Sequence, residues 1–217
     1  MMLILNQEDD GMLANYFPQT EKLLGTKLFS ELASHFHGND FAIFPQYLKE
    51  NLPDIEVRYS FTPELSRLEL TVHTAQLEYQ EFHPAQQSLR PLQTVADAKK
   101  VNISLSPNIR LFKSRFPVWE IWEECKQACG TPDLINLDLQ PKIKTPYFYI
   151  INQGANGPKA YPIKKKIFHL IEGIQAGSPF GDIAEKLYAH KDPIVLSKAL
   201  SKIQSLKLIE KFHIDQR

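Results

Sequence analysis

Apolar positions recur at helical spacing through most of the first hundred residues and give way to short β-type runs after them. Leu13, Tyr16, Phe17, Leu23 and Leu24 predict a helix over 12–24, interrupted at Pro18 and stopped at Gly25. Thr26 can then cap a second helix that places Leu28, Phe29, Leu32, Ala33 and Phe36 on one face. A third helix is predicted over 41–51, with Pro45 early enough to occupy its first turn, before a turn at 51–54. Thr62-Pro63-Glu64 supplies a capping hydroxyl, a proline at the first helical position and an acid in the first turn. A long helix should run from there to about Phe82. Leu65, Leu68, Leu70, Val72, Ala75, Leu77 and Tyr79 make it apolar around much of its circumference, as the central helix of a bundle would be. Residues 84–102 read as an irregular connection with one helical turn at 94–100.

The pattern changes at 103–124, ISLSPNIRLFKSRFPVWEIWEE. Residues 108–113 read as a strand, 114–117 as a break, and 118–125 as a short helix bearing both tryptophans, Trp119 and Trp122. Gly130, Pro132, Pro141 and Pro146 then punctuate a linker over 128–146. YFYIINQ and KAYPI flank the turn GANGP and predict a hairpin over 147–163. Three helices follow: 163–176, then 179–190 capped by Ser178, then 193–206 with Ile194, Leu196, Ala199, Leu200, Ile203 and Leu206 as its buried stripe. LIEKFHI suggests a last strand. The expected class is α+β, with an N-terminal all-α helical domain over 1–102 and a joint and linker over 103–146. A winged-helix-like domain with a small β-sheet and three helices occupies 147–217. The strand of the joint should complete its sheet, and the tryptophans should pack between the domains.

Charge sharpens this division. The chain as a whole is neutral, but residues 145–217 hold 11 basic against 6 acidic side chains, and 1–144 hold 14 against 19. A basic second half admits a nucleic-acid surface; two halves that attract each other or a partner are the favoured reading, since every basic residue there but Arg217 is a lysine. The opening MMLILNQEDD has no basic region and only a short apolar run, so neither a secretory leader nor a membrane span is expected, and the predicted location is cytoplasmic. Cys125 and Cys129 are too few for a disulfide framework and read as small buried hydrophobes with reduced thiols.

Catalytic motifs are missing: there is no Gly-rich phosphate loop, HExxH or GxSxG. Glu69 and His73 lie four apart on the long helix, a spacing that suits a ligand pair or an acid–base pair, and more often marks a polar contact at a helix or subunit surface, which is the favoured reading. An independent enzyme built on them is one candidate. Lys198, Lys202 and Lys207 on the last helix, with Lys164 to Lys166, are where a winged helix would meet phosphates, yet base-reading side chains other than Gln204 are absent there. A DNA-binding transcriptional regulator is therefore the alternative function.

The succession YFPQTEKLLGTKLFSELASHFH, FPQYLKE, ELSRLEL and LSPNIRLFKSRFPVWEIWE resembles the bacterial HvfC/BufC family, whose N-terminal domain is labelled DNA-binding. IFHLIEGIQAGSPFGDIAEKLY with LSKALSKIQSLKLIEKF resembles that family's second domain and the PqqD-like peptide-recognition fold. The likeness covers about residues 12–212. It implies a non-catalytic partner of a TIM-barrel enzyme that holds two or three iron ions and oxidatively modifies cysteines of a small ribosomal peptide, often copper-binding. No cofactor is then expected in this chain; the iron belongs to the enzyme. The leader of the precursor peptide would add as a strand to a hairpin edge. The resemblance places that groove at Lys159, Ala160 and Tyr161, facing Leu196, Ala199, Leu200 and Ile203, with Lys198 and Lys202 meeting acidic leader residues. Glu69, His73, Trp119 and Trp122 are the candidates for contact with the enzyme. Leu200 and Ile203 also read as core.

Overall fold

The computed structural model describes residues 7–38, 40–52, 57–84, 101–130, 132–188 and 193–214. The chain forms two compact units, 1–77 with 113–147 and 78–112 with 148–217. The fold is mixed α+β.

The first unit is helical: α1 (Gln7–Tyr16), α2 (Pro18–Leu24), α3 (Thr26–Ser34), a 3₁₀ turn (Phe41–Ile43), α4 (Phe44–Asn51), α5 (Val57–Leu77) and α6 (Val118–Gln127). Pro18 cannot continue α1 because it lacks an N–H, and it opens α2 instead. Gly25, at φ 80°, then turns the chain into α3, a conformation that side chains resist. Asp40 caps the 3₁₀ turn through Ala42 N at 2.8 Å, and Pro45 falls in the first turn of α4. Helices α2, α4 and α6 pack against α5. Leu13, Phe17, Phe29, Phe44 and Leu48 are buried in one cluster, with the Phe17 and Phe44 rings 4.9 Å apart.

Three expectations about this region are corrected. Helix α5 starts at Val57 rather than at Thr62, so Pro63 lies inside it. A proline there forfeits a single backbone bond near the helix start, which the packing of α5 among its neighbours offsets. The helix ends at Leu77 rather than near Phe82, because Gln80 gives both its backbone groups to another partner: its N–H donates to Asn108 Oδ1 at 3.0 Å and its carbonyl accepts from Asn108 Nδ2 at 2.7 Å. The tryptophan helix α6 and the segment 128–146 group with the helical unit, where α6 lies on α2 and α5. The helical turn expected at 94–100 lies outside the described residues.

The second unit contains β1 (Val101–Leu105), the greater part of β2 (Ile109–Ser114), β3 (Tyr147–Gly154), β4 (Gly157–Pro162), α7 (Lys165–Gln175), α8 (Phe180–Tyr188), α9 (Pro193–Ser205) and β5 (Ile209–Ile214). One sheet has the order β2-β3-β4, with the strand near 108–113 as its first member. The other pairs β1 with β5 antiparallel, from Val101↔Ile214 to Leu105↔Ile209, with a register shift at Ser104/Leu105. Local pattern gives no strand at β1, since its partner lies over a hundred residues away. Ile109, Ile150, Leu170, Ile171, Leu200, Ile203 and Leu208 are buried together between sheet and helices. Helices α7 and α8 approach closely because Gly173 has no side chain: a Cβ there would sit 2.9 Å from Ile183 Cδ1. Gly157, at φ 97°, closes the tight turn between β3 and β4.

Candidate functional site

The β3–β4 ladder determines which backbone groups of β4 are available. Gln153 N donates to Asn108 O at 3.1 Å, so the backbone groups of Gln153, and by alternation those of Ile151 and Tyr149, turn away from β4. Ile163 N donates to Phe148 O at 2.9 Å, which makes that pair a bonded one. The register Tyr149↔Pro162, Ile151↔Ala160 and Gln153↔Pro158 then leaves Pro158, Ala160 and Pro162 with their backbone groups facing outward from the sheet. Both prolines occupy positions where the ladder needs no N–H. The outer edge of β4 therefore presents three carbonyls and a single amide donor, that of Ala160. Among the described residues β4 is the terminal strand of its sheet.

Beside the Pro162 end of that edge lies a cavity of about 550 Å³, lined by Pro162, Ile163, Lys164, Lys166, Ile167, Lys198, Ala199 and Lys202. Four lysines from two helices converge on an apolar floor. Lys198 and Lys202 are exposed and one helical turn apart, so they share a face of α9. Lys164 immediately precedes α7 and Lys166 falls in its first turn.

The residues expected to contact peptide divide into two groups. Lys159 is exposed, Ala160 half-buried at the free edge, and Tyr161 half-buried with its ring against the core. Lys198, Ala199 and Lys202 line the cavity. Leu196 and Ile203 do not: each is 1 % exposed and, with Leu200, packs into the core. Their spacing puts them on the inner stripe of α9, and only Ala199, small and at the margin of that stripe, also reaches the cavity. Ile163 and Ile167 are additions to the groove, and Lys164 and Lys166, which the sequence grouped with Lys198 and Lys202 only as a phosphate-meeting surface, join it because the entry to α7 folds against the middle of α9.

In the helical unit Glu69 is buried, and its carboxylate faces inward rather than toward a partner surface. Oε1 accepts from Gln19 N at 2.6 Å, and Oε2 from Thr20 N at 3.0 Å and Thr20 Oγ1 at 2.6 Å. It closes the N-terminus of α2, whose own cap residue Phe17 has no acceptor to offer. Burial pushes the carboxyl up to about 7 against the three donors that pull it down. His73 does not join Glu69 in an acid–base pair; its ring lies 4.1 Å from that of Tyr16.

Trp122 is buried, whereas Trp119 is partly exposed with its ring 4.8 Å from Trp122. Lys126 Nζ lies 4.2 Å over the Trp122 ring. Cys125 is buried, and its thiol is pushed up to about 12 by burial and by the Glu69 charge. Cys129 is exposed, contrary to the expectation of two buried thiols, because α6 has ended at Gln127. Among the described residues no group of three or more His, Cys, Asp or Glu side chains is arranged to hold a metal ion, and no helix is long and apolar enough to cross a membrane. No protein-family model matches this chain, and no curated protein matches it.

Proposed function

We propose that this chain is a non-catalytic partner protein whose second unit binds the leader of a ribosomal precursor peptide as an added strand on β4. The bound peptide's cysteine-containing core is presented to a multinuclear non-haem iron TIM-barrel enzyme. The observation that carries the reading is the free β4 edge running into a lysine-rimmed apolar cavity. Main-chain bonds on an edge supply affinity for any extended segment, and the cavity selects its side chains. The lysines favour acidic ones and accelerate encounter. Trp119 and His73, each half-exposed on the helical unit, are the candidate enzyme contacts that remain accessible.

The direct test is co-purification of the chain with a barrel enzyme and a short cysteine-containing peptide encoded beside it, followed by peptide binding to Ala160→Pro. That variant deletes the one outward donor. Weakened binding with unchanged circular dichroism supports the reading; unchanged affinity would sink it.

The 15 basic against 9 acidic residues in the sequence of the second unit favour a second reading, duplex DNA binding through α9. It predicts salt-dependent duplex affinity that falls on neutralising Lys198, Lys202 and Lys207. Lack of duplex binding at low salt removes it.

A further inference from the structure

The helical unit holds a second cavity, of about 420 Å³, that the peptide reading does not use. We propose that it is a binding site for a small doubly charged oxyanion of the phosphate-monoester class. Three cationic side chains, Lys49 from α4, Arg67 from α5 and Arg115 after β2, line it together with one carboxylate, Glu64. Glu64 is already committed: Oε1 accepts from Arg115 Nε at 2.7 Å, and Oε2 accepts from Arg115 N at 2.8 Å and from the Ser114 hydroxyl. Among the described residues that line the cavity, one carboxylate thus stands with three cations, an excess of two positive charges.

The guanidiniums are also held in place. Arg67 donates to the Lys113 carbonyl, and Arg115 is tied to Glu64, so neither fork must be ordered when an anion arrives. Burial draws the Arg67 guanidinium below its usual range, with Glu64 opposing and the like charge of Arg115 adding to the effect. Two guanidiniums within repulsive reach are stabilised by an anion between them. Ala42, Pro45 and Pro63 form an apolar wall beside the charges, which suits an ester's organic substituent better than a bare ion.

The size of the anion follows from the charge around it. By sequence the helical unit carries 16 acidic against 10 basic residues, so a long polyanion such as duplex DNA would be repelled by the surface outside the cavity. A single phosphate ester fits within the basic patch and avoids that field. Phosphate and paired carboxylates share this chemistry, and their affinities distinguish them.

The full chain is titrated by calorimetry with phenyl phosphate, inorganic phosphate and succinate, as wild type, Arg67→Met and Lys49→Met. Phenyl phosphate should bind saturably in the millimolar range or tighter, ahead of both other ligands. Arg67→Met should weaken it about tenfold, the scale of one charge-assisted bond, and Lys49→Met by less. Lys49 is exposed, so its variant reports on the site even if Arg67→Met proves poorly folded. The proposal is overturned by the lack of saturable binding of phenyl phosphate, by affinity unchanged in both variants, by succinate binding more tightly than the phosphates, or by duplex DNA displacing phenyl phosphate. None of these outcomes bears on peptide binding at β4.

Discussion

The carboxylate of Glu69 holds Thr20 by both its backbone amide and its hydroxyl, at 3.0 and 2.6 Å, across 49 residues of sequence. A side chain in the middle of the longest described helix thereby supplies the cap that α2 cannot supply for itself. Cys125 lies within electrostatic reach of the same carboxylate and of Lys22, whose Nζ donates to the carbonyls of Cys125 and Ala128 at 2.6 and 2.9 Å. Helices α2, α5 and α6 are joined through this one polar cluster.

Replacing Glu69 by Ala should cost about 3 kcal/mol or more, since three donors at a buried helix terminus lose their acceptor. Glu69→Gln retains one carbonyl acceptor and should cost less. Urea denaturation of the three proteins checks both. Equal stability of Glu69→Ala and wild type would show that the cap is dispensable.

The pH dependence has a definite sign. The Glu69 carboxyl sits at about 7 in the folded chain, above the ordinary 4.5 it regains on unfolding. The folded state therefore holds the proton more tightly, and this group's contribution is fully present below about pH 4.5. It is lost as the pH rises toward and through 7, on the order of 3 kcal/mol in all. Glu69→Gln should flatten the stability profile in that window. An identical slope in wild type and variant would refute the assignment.

The two tryptophans should separate stability from contact. Trp122 is buried, so Trp122→Ala should destabilise the protein by about 3–5 kcal/mol. Trp119 is partly exposed, and Trp119→Ala should cost clearly less while weakening association with the proposed barrel-enzyme partner. Thermal melts and a pull-down read the two effects. Full enzyme binding by Trp119→Ala would exclude that contact.

Gly173 is constrained by packing rather than by its backbone angles. Gly173→Ala gains helix propensity, but its Cβ would lie 2.9–3.2 Å from three carbon atoms of Ile183. Overpacking of this kind costs about 1–3 kcal/mol and should outweigh the gain. Adding Ile183→Ala should recover part of the loss, measured as non-additivity in a double-mutant cycle.

Reversing Lys198 and Lys202 to Glu should leave stability almost unchanged, as both are exposed. It should weaken an acidic leader peptide about tenfold at low salt, with the difference shrinking as salt rises. A leader that binds equally well to the double variant would separate the lysines from recognition.

The sequence by itself determined where most elements lie. Gly25, Pro45 and the 147–163 hairpin are punctuation that acts locally: a positive φ, a missing N–H and a β-rich run each set the chain's course within a few residues. It also made plain that α9 carries an apolar stripe beside lysines. What it could not contain is partnership across distance. Whether Glu69 would face solvent with His73 or reach Gln19 and Thr20 depended on the packing of α2 against α5. The end of α5 depended on Asn108 taking the backbone of Gln80, and β1 became a strand because β5 returns beside it. Tertiary structure likewise folded the entry to α7 against α9, which placed Ile163 and Ile167 beside Lys198 and Lys202. Spacing along one helix defines its faces, and only the neighbouring elements decide which face is buried and which residues of another element share the exposed one.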